Sequence, residues 1–226
     1  MSSKTDGLAA GWKGSGERMT WRPKSGPLSG RARDGGDLYL VERGLVYVSF
    51  RASPAVEFLA YLAGPGDWIG VERALLGAGD NLEARAVVDS DLTRVSRTDW
   101  LERCERDAGF SAAVLRQAAR HQQEVLRRMT SCLTEPIEDR LPGLLWDLCQ
   151  PLPNEGGQIR LPFTQETLAR MAGCTRMTLH RGLASLATMG LLRLHRGVVE
   201  VPEPGRLGRY AWREAAPAQR PGPVGN

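Results

Sequence analysis

The sequence predicts an α+β chain in which a small β-roll precedes a long helix and then a pair of capped helices closed by a β hairpin. Three observations carry that prediction. Short β-like runs alternate with turn residues from Asp37 to about Thr98, and glycine and proline almost vanish between Trp100 and Leu133. From Leu161 to Val201 two helical patterns meet at a glycine turn and are followed by two short apolar runs. At 226 residues and 42% hydrophobic content the chain is long enough for two small domains with real cores.

Residues 1–30 are rich in Gly, Ser and Lys, with isolated Trp12 and Trp21, and are expected to form a flexible segment. Residues 31–105 hold the runs DLYLVERGLVYVSF, AVEFLAYL and ARAVVDSDLTRV, which read as the strands of a roll or barrel. Residues 106–134 read as one helix. Leu115, Ala118, Gln122, Val125, Met129 and Cys132 fall at alternating steps of three and four, the a/d seam of a helix that pairs with a second copy. The competing reading is a helix packed only on its own β-domain. After Glu135-Pro136, Ile137, Leu141, Leu144, Leu145 and Leu148 open a C-terminal domain over 135–201. Repeated Pro and Gly make 202–226 an expected flexible tail, with one strand-like contact at Tyr210 to Trp212.

Within the C-terminal domain, Thr164 is a good N-cap for a helix whose inward face is Leu168 and Met171. Ala169 is small where two helices approach, Gly173 supplies the turn, and Thr175 caps a second helix that buries Leu179, Leu183 and Leu186. That leaves Arg176, Met177, His180 and Arg181 on exposed first turns, where a recognition helix presents side chains to base edges in a major groove. The run LLRLHRGVVEV reads as a hairpin wing with the basic Arg196 at its tip, suited to phosphate. Arg160 to Val201 holds six arginines against Glu166 and Glu200, so this is where a polyanion would dock.

Other classes find little support. No apolar run approaches the roughly 18 to 20 residues of a membrane span, and the opening MSSKTDGLAAGWKGSGERM lacks a signal peptide's apolar stretch, so the expectation is a cytoplasmic chain without a membrane partner. Cys104, Cys132, Cys149 and Cys174 include no C-x-x-C pair and no histidine at zinc spacing, which predicts free thiols and no metal site. There is no G-x-S-x-G, no phosphate-cradling loop before a helix and no H-E-x-x-H; Gly64-Pro65-Gly66-Asp67 is a turn. An enzyme is not expected, nor a cofactor.

The stretch FTQETLARMAGCTRMTLHRGLASLATMGLL resembles the helix-turn-helix of the CRP/FNR regulators, the cyclic-AMP receptor protein family. PIEDRLPGLLWDL is similar to the opening of that family's DNA-binding domain. GPGDWIG, AVVDSDLTRV and DLYLVERGLVYV are similar to strands of its roll, so the likeness runs roughly from Asp37 to Val201. The resemblance implies a bacterial transcription regulator with an N-terminal cyclic-nucleotide-binding-like β-roll, a long central dimerisation helix and a C-terminal winged helix-turn-helix. It also implies a homodimer on a pseudo-palindromic site in double-stranded DNA, and contact with RNA polymerase. Arg176 and Arg181 match the family's base-reading and backbone-contacting arginines, and Thr164, Gln165 and Thr178 match positions that touch phosphate. The candidate DNA-binding set is Thr164, Gln165, Thr175, Arg176, Met177, Thr178, His180, Arg181 and Arg196.

The chain departs from the family pattern in two places. Met177 stands where the family has a Glu that accepts from cytosine N4, and His180 where it has a small residue, which predicts an altered operator. In the roll, Gly70 is followed by Val71 instead of Glu, and the position of the phosphate-holding Arg falls near Asp80 or Asn81. An acidic or amide group is the wrong partner for a cyclic phosphate. Gly70, Val71, Glu72 and Arg85 are the remaining candidates for an effector pocket, and the expectation is a regulator that works without cyclic AMP. The alternatives are gating by cyclic AMP or another small effector, or a thiol- or haem-based sensor. No cysteine precedes Cys104, which argues against the family's N-terminal iron-sulfur sensor, and His121, His180 and His195 all lie outside the roll. A thiol sensor would act through Cys132 or Cys174.

Overall fold

The computed structural model describes residues 12, 16–28, 36–53, 56–77, 82–154, 156–195 and 198–214, with side chains left aside at 52, 53, 56 and 212–214. Contacts divide the chain into two compact units, Met1–Met129 and Thr130–Asn226.

In the first unit, seven strands are β1 (Glu17–Trp21), β2 (Leu38–Arg43), β3 (Val46–Ser53), β4 (Val56–Ala63), β5 (Trp68–Ile69), β6 (Leu82–Ala86) and β7 (Ser90–Val95). They form two antiparallel sheets, ordered β1-β7-β2-β5 and β4-β3-β6. Strand alternation splits β2 between two cores. Tyr39 and Val41 join Trp21, Val46, Val48, Tyr61, Ala84 and Leu92 in one, while Leu38 and Leu40 join Trp68, Val71, Trp100, Phe110 and Val114 in the other. Helices α1 (Val71–Leu76), α2 (Arg97–Arg106) and α3 (Ala108–Thr134) supply the last four of these. A strand covered on both faces reads as a continuous apolar run, which is why LYLV does not alternate.

Residues 1–30 are not uniformly loose. The strand β1 pairs with β7 from Glu17↔Arg94 to Trp21↔Ser90, and the indole of Trp21 is buried and donates to the Gly26 carbonyl at 3.1 Å. Trp12 packs edge-on against Trp68, ring centroids 5.4 Å apart. ERMTW carries only two apolar residues, and the strand that completes it lies about seventy positions later, so local periodicity missed it.

The long helix is present as α3, separated from α2 by Asp107. Phe110, Val114, Gln117 and His121 face its own roll. The Gln117 amide accepts from the Trp68 amide at 2.9 Å and donates to the Trp68 carbonyl at 2.7 Å, pairing with β5 as another strand would. This covered face fixes the opposite one. Leu115, Ala119, Gln122, Leu126, Met129 and Leu133 are exposed, at steps of four and three. Of the expected seam, Leu115, Gln122, Met129 and Cys132 are exposed, whereas Ala118 and Val125 are half-buried, Val125 against the roll core. Both sets satisfy the heptad; only the buried face separates them.

The second unit contains α4 (Ile137–Cys149), β8 (Ile159–Leu161), α5 (Gln165–Met171), α6 (Arg176–Thr188), β9 (Arg193–His195), β10 (Val198–Val201) and α7 (Pro204–Glu214). The expected tail is helical over α7, and Tyr210 to Trp212 lie in that helix, not in a strand. Pro204 is the first helical residue, where a missing amide costs nothing. Leu207 is fully buried, and a Cβ on Gly208 would lie 2.9 Å from the Trp146 ring, so glycine lets α7 reach α4. Two residues taken as helix breakers are thus the ones that start α7 and seat it.

Candidate nucleic-acid interface

Both helices of the two-helix unit begin with a threonine cap. Thr164 Oγ1 accepts from the Thr167 amide at 3.1 Å and Thr175 Oγ1 from the Thr178 amide at 3.2 Å. Each cap contributes about 1 kcal/mol. The Thr175 and Thr178 hydroxyls are themselves 2.9 Å apart, so Thr164, Thr175 and Thr178 all hold helix starts in place. Gly173 turns the chain with φ 59°, and the Cys174 amide closes on the Ala169 carbonyl at 3.0 Å. Leu168, Ala169 and Met171 from α5 and Leu179, Leu183 and Leu186 from α6 are buried.

Burying that stripe leaves Arg176, Met177, His180 and Arg181 on one exposed face of the first two turns of α6; Gln165 is half-buried at the start of α5. Met177 is 76% exposed, a large apolar side chain with no covering neighbour. The first turn of α6 contains no acidic residue, so the positive end of the helix dipole and two guanidinium groups share one surface.

The wing is a three-stranded antiparallel sheet ordered β8-β10-β9. Arg196 lies outside the described residues. The register sets Arg160 and Arg193 on either side of Glu200, which is buried and lies 3.4 Å and 3.3 Å from them; His195 is 4.0 Å away. Sequence reasoning counted these arginines only as local charge. Their cross-strand pairing with one buried carboxylate follows from register, which no local pattern encodes. Both arginines are largely exposed, so Glu200 fixes their roots while their positive charge stays toward solvent.

Only part of the expected effector set comes together in the roll. Gly70 lines a small cavity with Asp37, Tyr39, Val48, Tyr61, Arg73 and Ala84, of about 30 Å³. That is room for one or two waters. Val71 turns into the second core and Glu72 is half-buried. Arg85 sits on the other side of β6 from Ala84 and pairs with Glu83 at 3.1 Å, so it does not reach the cavity. Asp37 is bound to the Arg94 guanidinium. Asp80 and Asn81 lie outside the described residues.

His121, the one histidine on α3, is stacked on Tyr61 with ring centroids 3.8 Å apart and planes 13° from parallel. Burial, with the nearby Arg120 charge, brings its imidazole from 6.5 down to about 4, partly opposed by Glu124. The ring is therefore a neutral packing element on the inner face of the helix.

Two threonine-capped helices around a glycine turn, a basic face on the second and a hairpin sheet after it define a winged helix-turn-helix protein. The family model of the Crp-like helix-turn-helix domain matches residues 139–210, which takes in the first seven residues of α7. The chain is 30% identical over 191 residues to the cyclic AMP receptor protein of Thermus thermophilus, covering 84% of this chain and 86% of the relative. It is 28% identical over 201 residues, with the same coverage, to the CRP-like cAMP-activated global transcriptional regulator of Mycobacterium tuberculosis. Among solved structures, FixK2 of Bradyrhizobium japonicum superposes with a TM-score of 0.70 at 20% identity, over 87% of this chain and 97% of that one. The chain belongs to the CRP/FNR family of DNA-binding transcription regulators. No described helix is long and apolar enough to cross a membrane.

Proposed function

We propose that this regulator acts as a homodimer on a pseudo-palindromic site, reads base edges with the outward face of α6, and does so without cyclic AMP. The observation that carries the reading is the uncovered set Arg176, Met177, His180 and Arg181 on a capped helix whose opposite stripe is buried. Arg176 and Arg181 bond guanine or phosphate, and Met177 offers an apolar surface to a thymine methyl. Thr164, Gln165, Thr175 and Thr178 fix the helix starts beside the phosphate backbone, and Arg196 with Arg160 and Arg193 provides wing contacts. The exposed stripe of α3 joins the two copies, and RNA polymerase is the partner that turns binding into activation.

Independence from cyclic AMP rests on the roll. Its cavity of about 30 Å³ is roughly a tenth of the smallest usual ligand pocket, which begins near 300 Å³. Arg85 is engaged by Glu83 away from it. Two relatives are named for cyclic AMP, whereas in this chain Val71 follows Gly70 where the family's cyclic-nucleotide pattern has Glu.

The test is selection of bound sequences from random duplex DNA by the purified protein, with and without cyclic AMP. A two-fold symmetric motif enriched equally in both arms is the expected result. Enrichment only with the nucleotide overturns the reading of the roll, and no enrichment in either arm overturns sequence-specific binding.

A further inference from the structure

Cys132 and Cys174 are 42 positions apart in the chain, yet one guanidinium bonds the first and acts electrostatically on the second. Arg140, in the first turn of α4, donates from Nη1 to Cys132 Sγ at 3.2 Å and also to the Ala172 carbonyl, two residues before Cys174. The charge of Arg140 acts on the Cys174 thiol, and the two thiols lie within electrostatic reach of each other. Cys132 is exposed at the end of α3, while Cys174 is half-buried in the turn before α6, against the Leu179 amide. The other two cysteines differ in kind: Cys149 is buried alone and pushed up to about 12, and burial also raises Cys104.

We propose that Cys132 and Cys174 form a reversible disulfide that switches DNA binding off under hydroperoxide stress. The exposed Cys132 thiolate attacks the peroxide oxygen. An S–O bond forms with the terminal oxygen, the O–O bond breaks, and the leaving alkoxide, or hydroxide from hydrogen peroxide, takes a proton to become the alcohol or water. The Cys174 thiolate then attacks the sulfenic sulfur; the S–S bond forms, the S–O bond breaks and a second hydroxide leaves and is protonated. Two thiols and one hydroperoxide thus yield one disulfide, one water and one alcohol, or a second water from hydrogen peroxide. Burial raises the Cys174 thiol and the Arg140 charge opposes that, which suits Cys174 to the second, resolving step. Among the described residues no third His, Cys, Asp or Glu completes a metal site around the pair, which favours dithiol chemistry.

The bond would tie the end of α3 to the turn that aims α6. Arg140 would lose its bond to Cys132, and Cys174 would give up its contact with the Leu179 amide in the first turn of α6. The regulatory half of this inference rests on the proposed role of α6; the disulfide itself does not. The full-length protein is treated with a small excess of hydrogen peroxide, alkylated, and read by peptide mass spectrometry and by titration of its selected DNA site. The expected result is a Cys132–Cys174 linked peptide and at least a tenfold loss of affinity, both reversed by dithiothreitol. Cys132→Ser and Cys174→Ser are each expected to bind DNA as the reduced protein does and to ignore peroxide. Freely alkylatable thiols after oxidation, or a Cys132 link between two copies, overturn the disulfide. A linked peptide with unchanged or tighter binding overturns the switch. Failure of the reduced protein to bind any duplex counts instead against the role given to α6, because the linked peptide is read without DNA.

Discussion

Arg176 and Arg196 are both arginines of the helix-turn-helix region, and the proposed reading gives them different work. Arg176 sits on the outward face of a capped helix, whereas Arg196 comes, in chain order, after β9 and before β10. Arg176→Ala is expected to lose about 1–3 kcal/mol of discrimination at one base of each half-site, and Arg196→Ala to weaken specific and random DNA alike. Competition titrations separate the two; equal losses on both DNAs for both variants would show that Arg176 reads no base. His121 carries a second residue-scale prediction. Its folded value of about 4 lies below the ordinary 6.5 because it is buried, so the unfolded chain takes up a proton first as pH falls. Its contribution is complete above pH 6.5 and drains away toward pH 4, by about 3 kcal/mol in all. Burial raises Asp67 as well, and that carboxyl acts in the opposite sense, so the measurement must be differential. Urea midpoints of the wild type should fall more steeply across this window than those of His121→Phe, which keeps an aromatic ring on Tyr61. Parallel curves would contradict the assignment.

At the level of the element, α7 is the helix that residue preferences argued against. Glycine lowers helix propensity by about 1 kcal/mol, yet Gly208 is the only residue type that fits beneath the Trp146 ring. Gly208→Leu is expected to cost about 1–3 kcal/mol by pushing α7 from α4. Gly205→Ala, whose added Cβ meets nothing closer than Arg209 at 3.7 Å, should be neutral or slightly stabilising. Denaturant midpoints of the two variants test this directly, and equal midpoints would mean that α7 is not seated on α4. In the helix-turn-helix the opposite held. There the signals were local, a threonine three residues before the amide it caps and a glycine at the turn, so residue order alone placed both helices.

For the whole molecule, the proposed dimer turns on which stripe of α3 would face a second copy. The exposed stripe includes Leu126 and Leu133, at 56% and 83% exposure, while Val125 packs on the roll. Leu126→Asp with Leu133→Asp is expected to give a monomer in analytical ultracentrifugation and to abolish tight binding to a two-fold site. Val125→Ala should instead leave the dimer intact and cost about 1 kcal/mol of roll stability. The reverse pattern would restore the seam through Ala118 and Val125. A dimer also sets the geometry of recognition, because two copies of α6 related by a two-fold axis demand half-sites about one helical turn apart.

The sequence by itself determined the order of roll, long helix and winged helix-turn-helix, and the exposed face of α6. These follow from caps, turns and periodicities spanning a few residues. Tertiary structure alone decided the rest. The strand β1 needed β7, as the Glu17 to Arg94 ion pair across 77 positions illustrates. The outward stripe of α3 emerged only once Gln117 and His121 were committed to the roll, and Arg85 left the cavity lining only when β6 set it opposite Ala84. Cys132 and the turn that carries Cys174 share a partner only because α4 sets Arg140 against both the end of α3 and the Ala172 carbonyl. In each case the deciding contact joins residues far apart in the chain, so its free energy appears only when the fold brings them together.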